Sequence, residues 1–157
     1  KEADAAKALF DQGADIIVQH TDSPAPLQIA EERGLHGFGQ AHDMSSFAPK
    51  AQLTAIEDNW GPYYVERVKA VLDGTWKSQQ SWEGLKEKML IMAPYLNMPD
   101  DVAAMAKDTE AKITADPLLP FRGKVLKQDG SDAGPIDDGV LLGMNWYVKG
   151  IDDKFPQ

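Results

Sequence analysis

Near the start of the chain, segments with helical spacing alternate with short apolar runs, and this alternation restricts the fold more than any other feature. Apolar residues recur at helical spacing over 5–10, and the pattern ends at Gly13. A β-branched run at 15–19, a helix to about Arg33 and a second apolar run at 35–39 follow. Strands and helices that alternate through tight glycine connections are typical of a parallel sheet covered by helices. The sequence therefore predicts an α/β fold, a parallel-sheet three-layer sandwich, whose first strand is buried on both faces.

The rest of the chain continues this pattern less regularly. It predicts a strand at 51–56, a polar turn at 57–62, a helix at 63–72, a strand at 86–93, a helix that opens at 97–101 and an extended segment at 118–125. Residues 128–139 are rich in glycine and aspartate, which predicts a loop. Trp76, Trp82 and Trp146 are predicted to be core or hinge residues, because tryptophan is highly buried on average.

The composition narrows the class of protein further. The chain has 157 residues, of which 43% are hydrophobic and 26% charged, as is typical of one globular domain. No apolar stretch approaches the roughly 20 residues of a membrane span. The net charge of −9 repels phosphate backbones, so nucleic-acid binding is not expected. The absence of cysteine excludes a disulfide and a thiolate nucleophile, and it fits either the cytosol or a periplasm.

Polar and aromatic side chains follow each of the first three predicted strands. In an open α/β sheet the ligand binds at the carboxyl ends of the strands, which is where these loops lie. The candidate ligand-binding residues are Asp22, Ser23, Gln40, Asp43, Asn59 and Trp60. Carboxylates and amides can bind sugar hydroxyls or the edge of a purine, and an indole can stack on a ring. The loops therefore predict a site for a neutral polar ligand with a flat ring, although each polar residue taken singly is more often a cap or turn former.

Catalytic and metal-binding chemistry find little support in the sequence. The three histidines lack a paired helical spacing, so neither a metal nor another cofactor is predicted. Ser23 and His20 lack the nucleophile elbow of hydrolases, and the chain has no glycine-rich phosphate loop. No catalytic residue is therefore assigned.

Several runs of residues resemble one family along nearly the whole chain. Among them are His-Thr-Asp-Ser-Pro at 20–24 and Asn-Trp-Gly-Pro-Tyr-Tyr at 59–64. Further matching runs lie at 12–17, 43–44, 53–56, 71–76, 120–123, 128–130 and 144–148. In these runs the chain resembles the basic membrane protein family of ABC-transporter substrate-binding lipoproteins.

The resemblance implies a type I periplasmic binding protein with two lobes. Such a protein would capture a purine base or nucleoside, adenine-like, and deliver it to a membrane permease without catalysis, in the periplasm or at the extracytoplasmic membrane surface. By this resemblance the six candidate residues lie in the family's binding loops. Gln40 is included because it lies in the same loop as Asp43. A nucleotide-using α/β enzyme is the alternative hypothesis, and an interaction module that retains the fold is a third.

The resemblance also implies a partial chain, because members of the family are longer. Residues 1–58 would belong to the second, C-terminal lobe, and residues 59–157 would hold a helix that crosses back to the first lobe together with the C-terminal elements. One lobe would supply one wall of the ligand cleft and would leave apolar surfaces open. We therefore expect the isolated chain to self-associate and to bind purine weakly or not at all.

Overall fold

The computed structural model describes residues 1–154 and divides the chain into two compact units. The first unit is Lys1–Thr109, and the second begins at Glu110. All six candidate ligand-binding residues lie in the first unit. The assignment of residues 1–58 and 59–157 to different lobes stays a prediction.

The first unit is built on a four-stranded sheet in which the strands lie in their order along the chain. These strands are β1 (Ile16–Val18), β2 (His36–Ala41), β3 (Gln52–Asp58) and β4 (Leu90–Met92). The first three are parallel, whereas β4 pairs with β3 in the antiparallel direction. The prediction of an α/β fold with a mainly parallel sheet is therefore confirmed.

The chain also forms five α-helices and one 3-10 helix within residues 1–154. They are α1 (Glu2–Asp11), α2 (Ala25–Glu32), α3 (Trp60–Leu72), α4 (Asp100–Ala115) and α5 (Asp138–Leu142), with a 3-10 helix at Leu119–Phe121. The extended structure predicted at 118–125 is wrong over the 3-10 helix, where Pro120 occupies the first turn. Proline is tolerated there because its fixed φ is compatible with the start of a helix. The polar turn predicted at 57–62 is also wrong, because β3 continues to Asp58 and α3 begins at Trp60. Pro62 is tolerated there, since the first turn of a helix does not need its N–H.

The core of the first unit lies between the sheet and the first two helices. The helices α1 and α2 pack against each other, and α2 packs on β1 and β2. Phe10, Ile17 and Leu27 are buried in this layer. At its edge, Arg33 donates to the Asp11 carboxylate at 2.7 Å, and its guanidinium lies over the Phe10 ring. One face of the sheet is thus closed by a two-helix layer.

The second strand meets its neighbours closely because two of its residues are glycines. A Cβ at Gly37 would lie 2.7 Å from Ile17 Cγ2 and 2.8 Å from Leu27 Cδ2. A Cβ at Gly39 would lie 2.8 Å from Gln52 Oε1. Interiors packed to crystal density have no room for such contacts, so both glycines are steric requirements of the sheet.

The opposite face of β1 carries exposed apolar side chains. Only Ile17 is buried in this strand, whereas Ile16 and Val18 are 45% and 76% exposed. The predicted burial of β1 on both faces is therefore wrong. The physical reason is that α1 and α2 lie on the face that carries Ile17, and no helix of the first unit covers Ile16 and Val18 on the other face.

The helix α3 also leaves its apolar stripe open. No residue of α3 is buried within the described part of the chain, and Tyr64, Val65, Val68 and Val71 are all exposed. The residues from 71 to 83 are exposed as well, which places this segment at the surface. The predicted core place of Trp76 and Trp82 is therefore wrong, because they lie 51% and 61% exposed on that segment, whereas their alternative place at a hinge stays a prediction.

The second unit is held by local contacts. Arg122 donates from Nε and Nη2 to the two carboxylate oxygens of Asp116 at 2.9 and 2.8 Å. An isolated antiparallel bridge joins Lys127 to Val148, and the ammonium of Lys127 lies 5.2 Å from the centre of the half-buried Trp146 ring. None of the candidate ligand-binding residues belongs to this unit.

Candidate functional site

The three candidate loops follow three neighbouring parallel strands. Asp22 and Ser23 lie after β1, Gln40 and Asp43 lie at and beyond the end of β2, and Asn59 and Trp60 follow β3. Because the strands are parallel, these loops leave the sheet at the same edge. The structure thus brings all six residues to the carboxyl edge of the sheet, as the sequence predicts; their role as ligand-binding residues stays a prediction.

The first loop is fixed by hydrogen bonds among its own residues. Thr21 Oγ1 donates to Gln19 Oε1 at 3.0 Å and also lies 3.2 Å from the carbonyl oxygen of Ser23. Ser23 Oγ accepts from the backbone N–H of Ala25 at the start of α2, at 3.2 Å. Ser23 therefore has the structural role that its residue type most often has, while Asp22 is exposed at the surface of the loop.

The second loop is fixed by Gln52, a fully buried residue at the start of β3. Its Nε2 donates to Asp43 Oδ1 at 2.6 Å, and its Oε1 accepts from the backbone N–H of Met44 at 2.9 Å. The backbone N–H of Ser45 donates to the same Asp43 oxygen at 2.9 Å. One carboxylate oxygen of Asp43 is thus engaged by the fold itself.

These contacts shift the ionisation of Asp43. The pKa of its carboxyl lies below the usual value, chiefly because the backbone N–H of Ser45 donates to the ionised form. Partial burial opposes this shift, and the Gln52 amide and the nearby His42 reinforce it. Asp43 is therefore an ionised acceptor at neutral pH, oriented by Gln52.

The first two loops are tied to each other below the surface. Gln19 Nε2 lies 3.3 Å from Met44 Sδ, and both side chains are buried. Between the loops, Ala41 adopts a φ of +63°, a conformation that side chains other than glycine rarely take. Such a residue persists only where its surroundings determine it, and such residues concentrate at functional sites. The end of β2 therefore has a fixed and unusual shape.

The third loop holds β4 at the same edge. Asn59 donates from Nδ2 to the Lys88 carbonyl at 2.9 Å, and its backbone N–H donates to Met89 O at 2.8 Å. Lys88 has a φ of +61°, so the turn before β4 is also strained. The amide nitrogen of Asn59 therefore serves the fold.

Trp60 stands at the start of α3 in a cluster of aromatic rings. Its ring stacks on Tyr64, with 5.8 Å between ring centres and 21° between planes, and meets Tyr63 edge to face at 5.9 Å. The guanidinium of Arg67 lies 5.2 Å from the Tyr63 ring centre. Because Trp60 is 45% exposed, one side of its ring system remains open for a flat ligand.

An open pocket of about 370 Å³ lies against Trp60. Tyr63, Trp82, Glu83 and Leu90 contribute further walls. Trp82, Glu83 and Gln52 are not among the candidate site residues that the sequence predicts. A glutamine inside an otherwise apolar strand is a signal for Gln52, whereas the approach of residues 82–83 to Trp60 depends on the turn before β4, which no motif marks.

Two further properties of the described residues concern the requirements of a metal site and of a membrane-spanning helix. Within residues 1–154, no group of three or more histidine or acidic side chains is placed to hold a metal ion. No helix in the described part of the chain is long and apolar enough to cross a membrane.

A parallel sheet that gathers polar and aromatic side chains at the carboxyl ends of its strands defines an α/β ligand-binding domain. Residues 1–117 match the Bmp family, described as ABC transporter substrate-binding proteins of the PnrA-like type. The chain belongs to this family, which confirms the resemblance found in the sequence.

Two curated relatives extend the comparison. A purine-binding protein of Brucella abortus (strain 2308) is 62% identical over 161 residues, covering 100% of this chain and 46% of that protein. A protein of Haloferax volcanii, whose name proposes an ABC transporter glucose-binding role, is 25% identical over 154 residues, covering 98% of this chain and 38% of its own. The chain therefore spans less than half the length of these relatives.

Solved structures share the fold. An ABC transporter solute-binding protein from Conexibacter woesei matches with a TM-score of 0.56 and 20% identity, covering 74% of this chain and 40% of that one. A transcriptional activator of the comK gene from Bacillus halodurans matches with a TM-score of 0.65 and 17% identity, covering 76% and 45%. At these identities the likeness concerns the fold alone.

Proposed function

We propose that this chain is part of an extracytoplasmic solute-binding protein of an ABC importer, and that its ligand is a purine base or nucleoside. The observation that carries the proposal is the 62% identity, over the whole chain, with a protein named as purine-binding. The family supplies the transporter, because its members are ABC transporter substrate-binding proteins. The partner is then the membrane permease of that importer.

The chemistry of the sheet edge suits such a ligand. Trp60 offers an exposed indole on which a purine can stack, and Asp22 offers an exposed carboxylate for an N–H or a sugar hydroxyl. Gln40 lies half-buried at the end of β2, between the loops that carry these two residues. The net charge of −9 disfavours a phosphorylated ligand, which supports a base or nucleoside over a nucleotide.

The proposal includes no catalysis. Binding proteins return their ligand unchanged, whereas a nucleotide-using enzyme would convert it. Isothermal titration of the full-length natural protein with adenine, adenosine, guanosine and ribose tests the ligand class. Chromatography of the recovered ligand tests for conversion. Binding of adenine or a nucleoside with full recovery supports the proposal; absence of purine binding, or a converted product, would contradict it.

A further part of the proposal concerns the 157-residue chain on its own. Its open apolar surfaces are the outer face of β1, with Ile16 and Val18, and the stripe of α3 that includes Val65, Val68 and Val71. Exposed apolar patches and unpaired strand edges favour association with another chain. We therefore propose that the isolated chain self-associates.

A further inference from the structure

The segment between α3 and β4 carries an indole and a carboxylate that line the same pocket as Trp60. Trp82 is 61% exposed although it is a large apolar residue, and Glu83 follows it directly. Both line the pocket of about 370 Å³ whose other walls include Trp60 and Tyr63. Small-molecule sites have volumes of roughly 300 to 1,000 Å³, so a purine fits this space.

The turn before β4 fixes the position of this segment. The Gly84 carbonyl accepts from the backbone N–H groups of Met89 and Leu90, at 3.0 and 3.3 Å. Glu87 Oε2 accepts from the Gly84 N–H at 3.0 Å, which closes the turn. Asn59, the residue before Trp60, then holds the turn through the Lys88 carbonyl. These bonds attach the base of the segment that carries Trp82 to the loop that carries Trp60.

The carboxylate of Glu83 discriminates among flat ligands that enter this pocket. A carboxylate accepts hydrogen bonds and donates none when ionised, so it favours a ring with an N–H group and disfavours a carbonyl at the same position. Three glutamates and one lysine line a smaller pocket beside the first, so acidic groups outnumber basic ones at this end of the edge; they are Glu66, Glu83, Glu87 and Lys88. A phosphate group would meet repulsion there.

We propose that Trp82 and Glu83 form a second wall of the purine site, in which Trp82 packs on the ring and Glu83 accepts from an exocyclic amine. The inference rests on the proposed function and deepens it: the ligand is an uncharged aminopurine base or its nucleoside, and the bonds of Asn59 Nδ2 and Glu87 position the wall.

Titration calorimetry on the full-length natural protein tests the packing role of Trp82, with adenine as the probe. Trp82→Ala should weaken adenine binding by about tenfold to a hundredfold, the usual effect of losing one base–aromatic stack. Trp82→Phe should retain most of the affinity, because a ring remains. The matched control is Trp76→Ala, which removes an indole of similar exposure that does not line the pocket, and it should leave the affinity unchanged.

The ratio of adenine to hypoxanthine affinity tests Glu83 separately. Hypoxanthine carries a carbonyl where adenine carries the amine. Glu83→Gln should lower the preference for adenine by about tenfold, because an amide can donate to the carbonyl whereas a carboxylate cannot. Asp73→Asn, an exposed acidic residue at the end of α3, is the control and should leave the ratio unchanged.

The outcomes separate this inference from the proposed function. A wild-type protein that binds no purine contradicts the proposed function itself. A wild-type protein that binds adenine, with Trp82→Ala equal to wild type, overturns the second wall and leaves the function standing. Equal losses in Trp82→Ala and Trp76→Ala would also overturn it, because the effect would then be one of folding. If Trp82→Ala fails to fold, the Trp82→Phe affinity and the Glu83→Gln ratio decide.

Discussion

The stability of the carboxyl edge of the sheet should depend strongly on the buried amide of Gln52. The substitution Gln52→Glu tests this dependence without changing the shape of the side chain. The Gln52 amide nitrogen lies 2.6 Å from Asp43 Oδ1, so the substitution places one carboxylate against another. Two ionised carboxylates cannot share such a contact, and one of them must take up a proton. The protonated group can then donate to the other, which replaces the lost amide bond.

The size of the destabilisation follows from the free energy needed to protonate one of the two carboxylates. Protonating a carboxyl of ordinary pKa, about 4.3 for glutamate, costs about 1.4 kcal/mol for each pH unit above that value. Near pH 7 the cost is therefore up to about 4 kcal/mol, a large part of the stability of an ordinary domain. We expect Gln52→Glu to be less stable than wild type by about 3 kcal/mol at neutral pH.

The stability of the Gln52→Glu variant should depend on pH with a defined sign. In the variant, the folded state holds a proton that the unfolded state releases above about pH 4.3, so the folded pKa is raised and stability falls as pH rises. The difference from wild type should therefore shrink by about 1.4 kcal/mol per pH unit between about pH 7 and pH 5. Wild-type Asp43 behaves oppositely: its lowered pKa contributes stability that is present above the unfolded value and lost as pH falls through the folded one.

Urea denaturation followed by circular dichroism measures both quantities, at a neutral and a mildly acidic pH. Gln52→Leu is the control, because it removes the bonds to Asp43 and Met44 without adding a titratable group. Its loss should be about 2–5 kcal/mol and equal at both pH values. A Gln52→Glu deficit that stays constant between the two pH values would refute the facing of these two side chains.

Three other perturbations test the fold and the edge. Gly37→Ala should destabilise by about 1–3 kcal/mol through overpacking against Ile17, whereas Gly61→Ala, which meets open space in α3, should be neutral or slightly stabilising in thermal unfolding. Asp22→Ala should weaken purine binding and leave the unfolding midpoint unchanged. Asp43→Ala should weaken purine binding by about 1–3 kcal/mol and also lower the unfolding midpoint. If Asp43→Ala lowers the midpoint and leaves binding unchanged, Asp43 has a structural role only. Light scattering of the isolated 157-residue chain should show oligomers, and a stable monomer that binds purine at micromolar concentration would contradict both the self-association and the expectation that the isolated chain binds purine weakly or not at all.

The sequence predicts the parallel core of this fold because local signals and long-range packing agree there. The glycines at 13 and 34 adopt positive φ where the first two helices end, as helix-ending glycines do. The β-branched run then gives β1 within the predicted residues 15–19. The same reasoning places six polar or aromatic residues at one edge, since parallel strands with short connections leave little choice of topology.

The wrong predictions concern burial. The burial of a residue depends on which other elements cover it, and the local sequence pattern does not contain that information. An apolar run predicts a buried strand, but Ile16 and Val18 belong to an edge strand whose outer face is open. Trp82 illustrates the same limit, because composition favours the core for an indole while its segment lies at the surface. Gln52 is the reverse case: it is a polar residue that is fully buried because Asp43 and Met44 satisfy its amide.

The polar groups at the carboxyl edge therefore divide by what they already bind. Ser23, Asp43 and Asn59 each contact backbone or amide groups of the fold, and these contacts give the loops one shape. Asp22 and Trp60 are exposed, and under the proposed function they would contact the ligand directly. Binding to loops that are already ordered loses less conformational entropy than binding to mobile ones. Under the proposed function, rigidity at this edge would therefore contribute to affinity, and the exposed side chains would select among ligands.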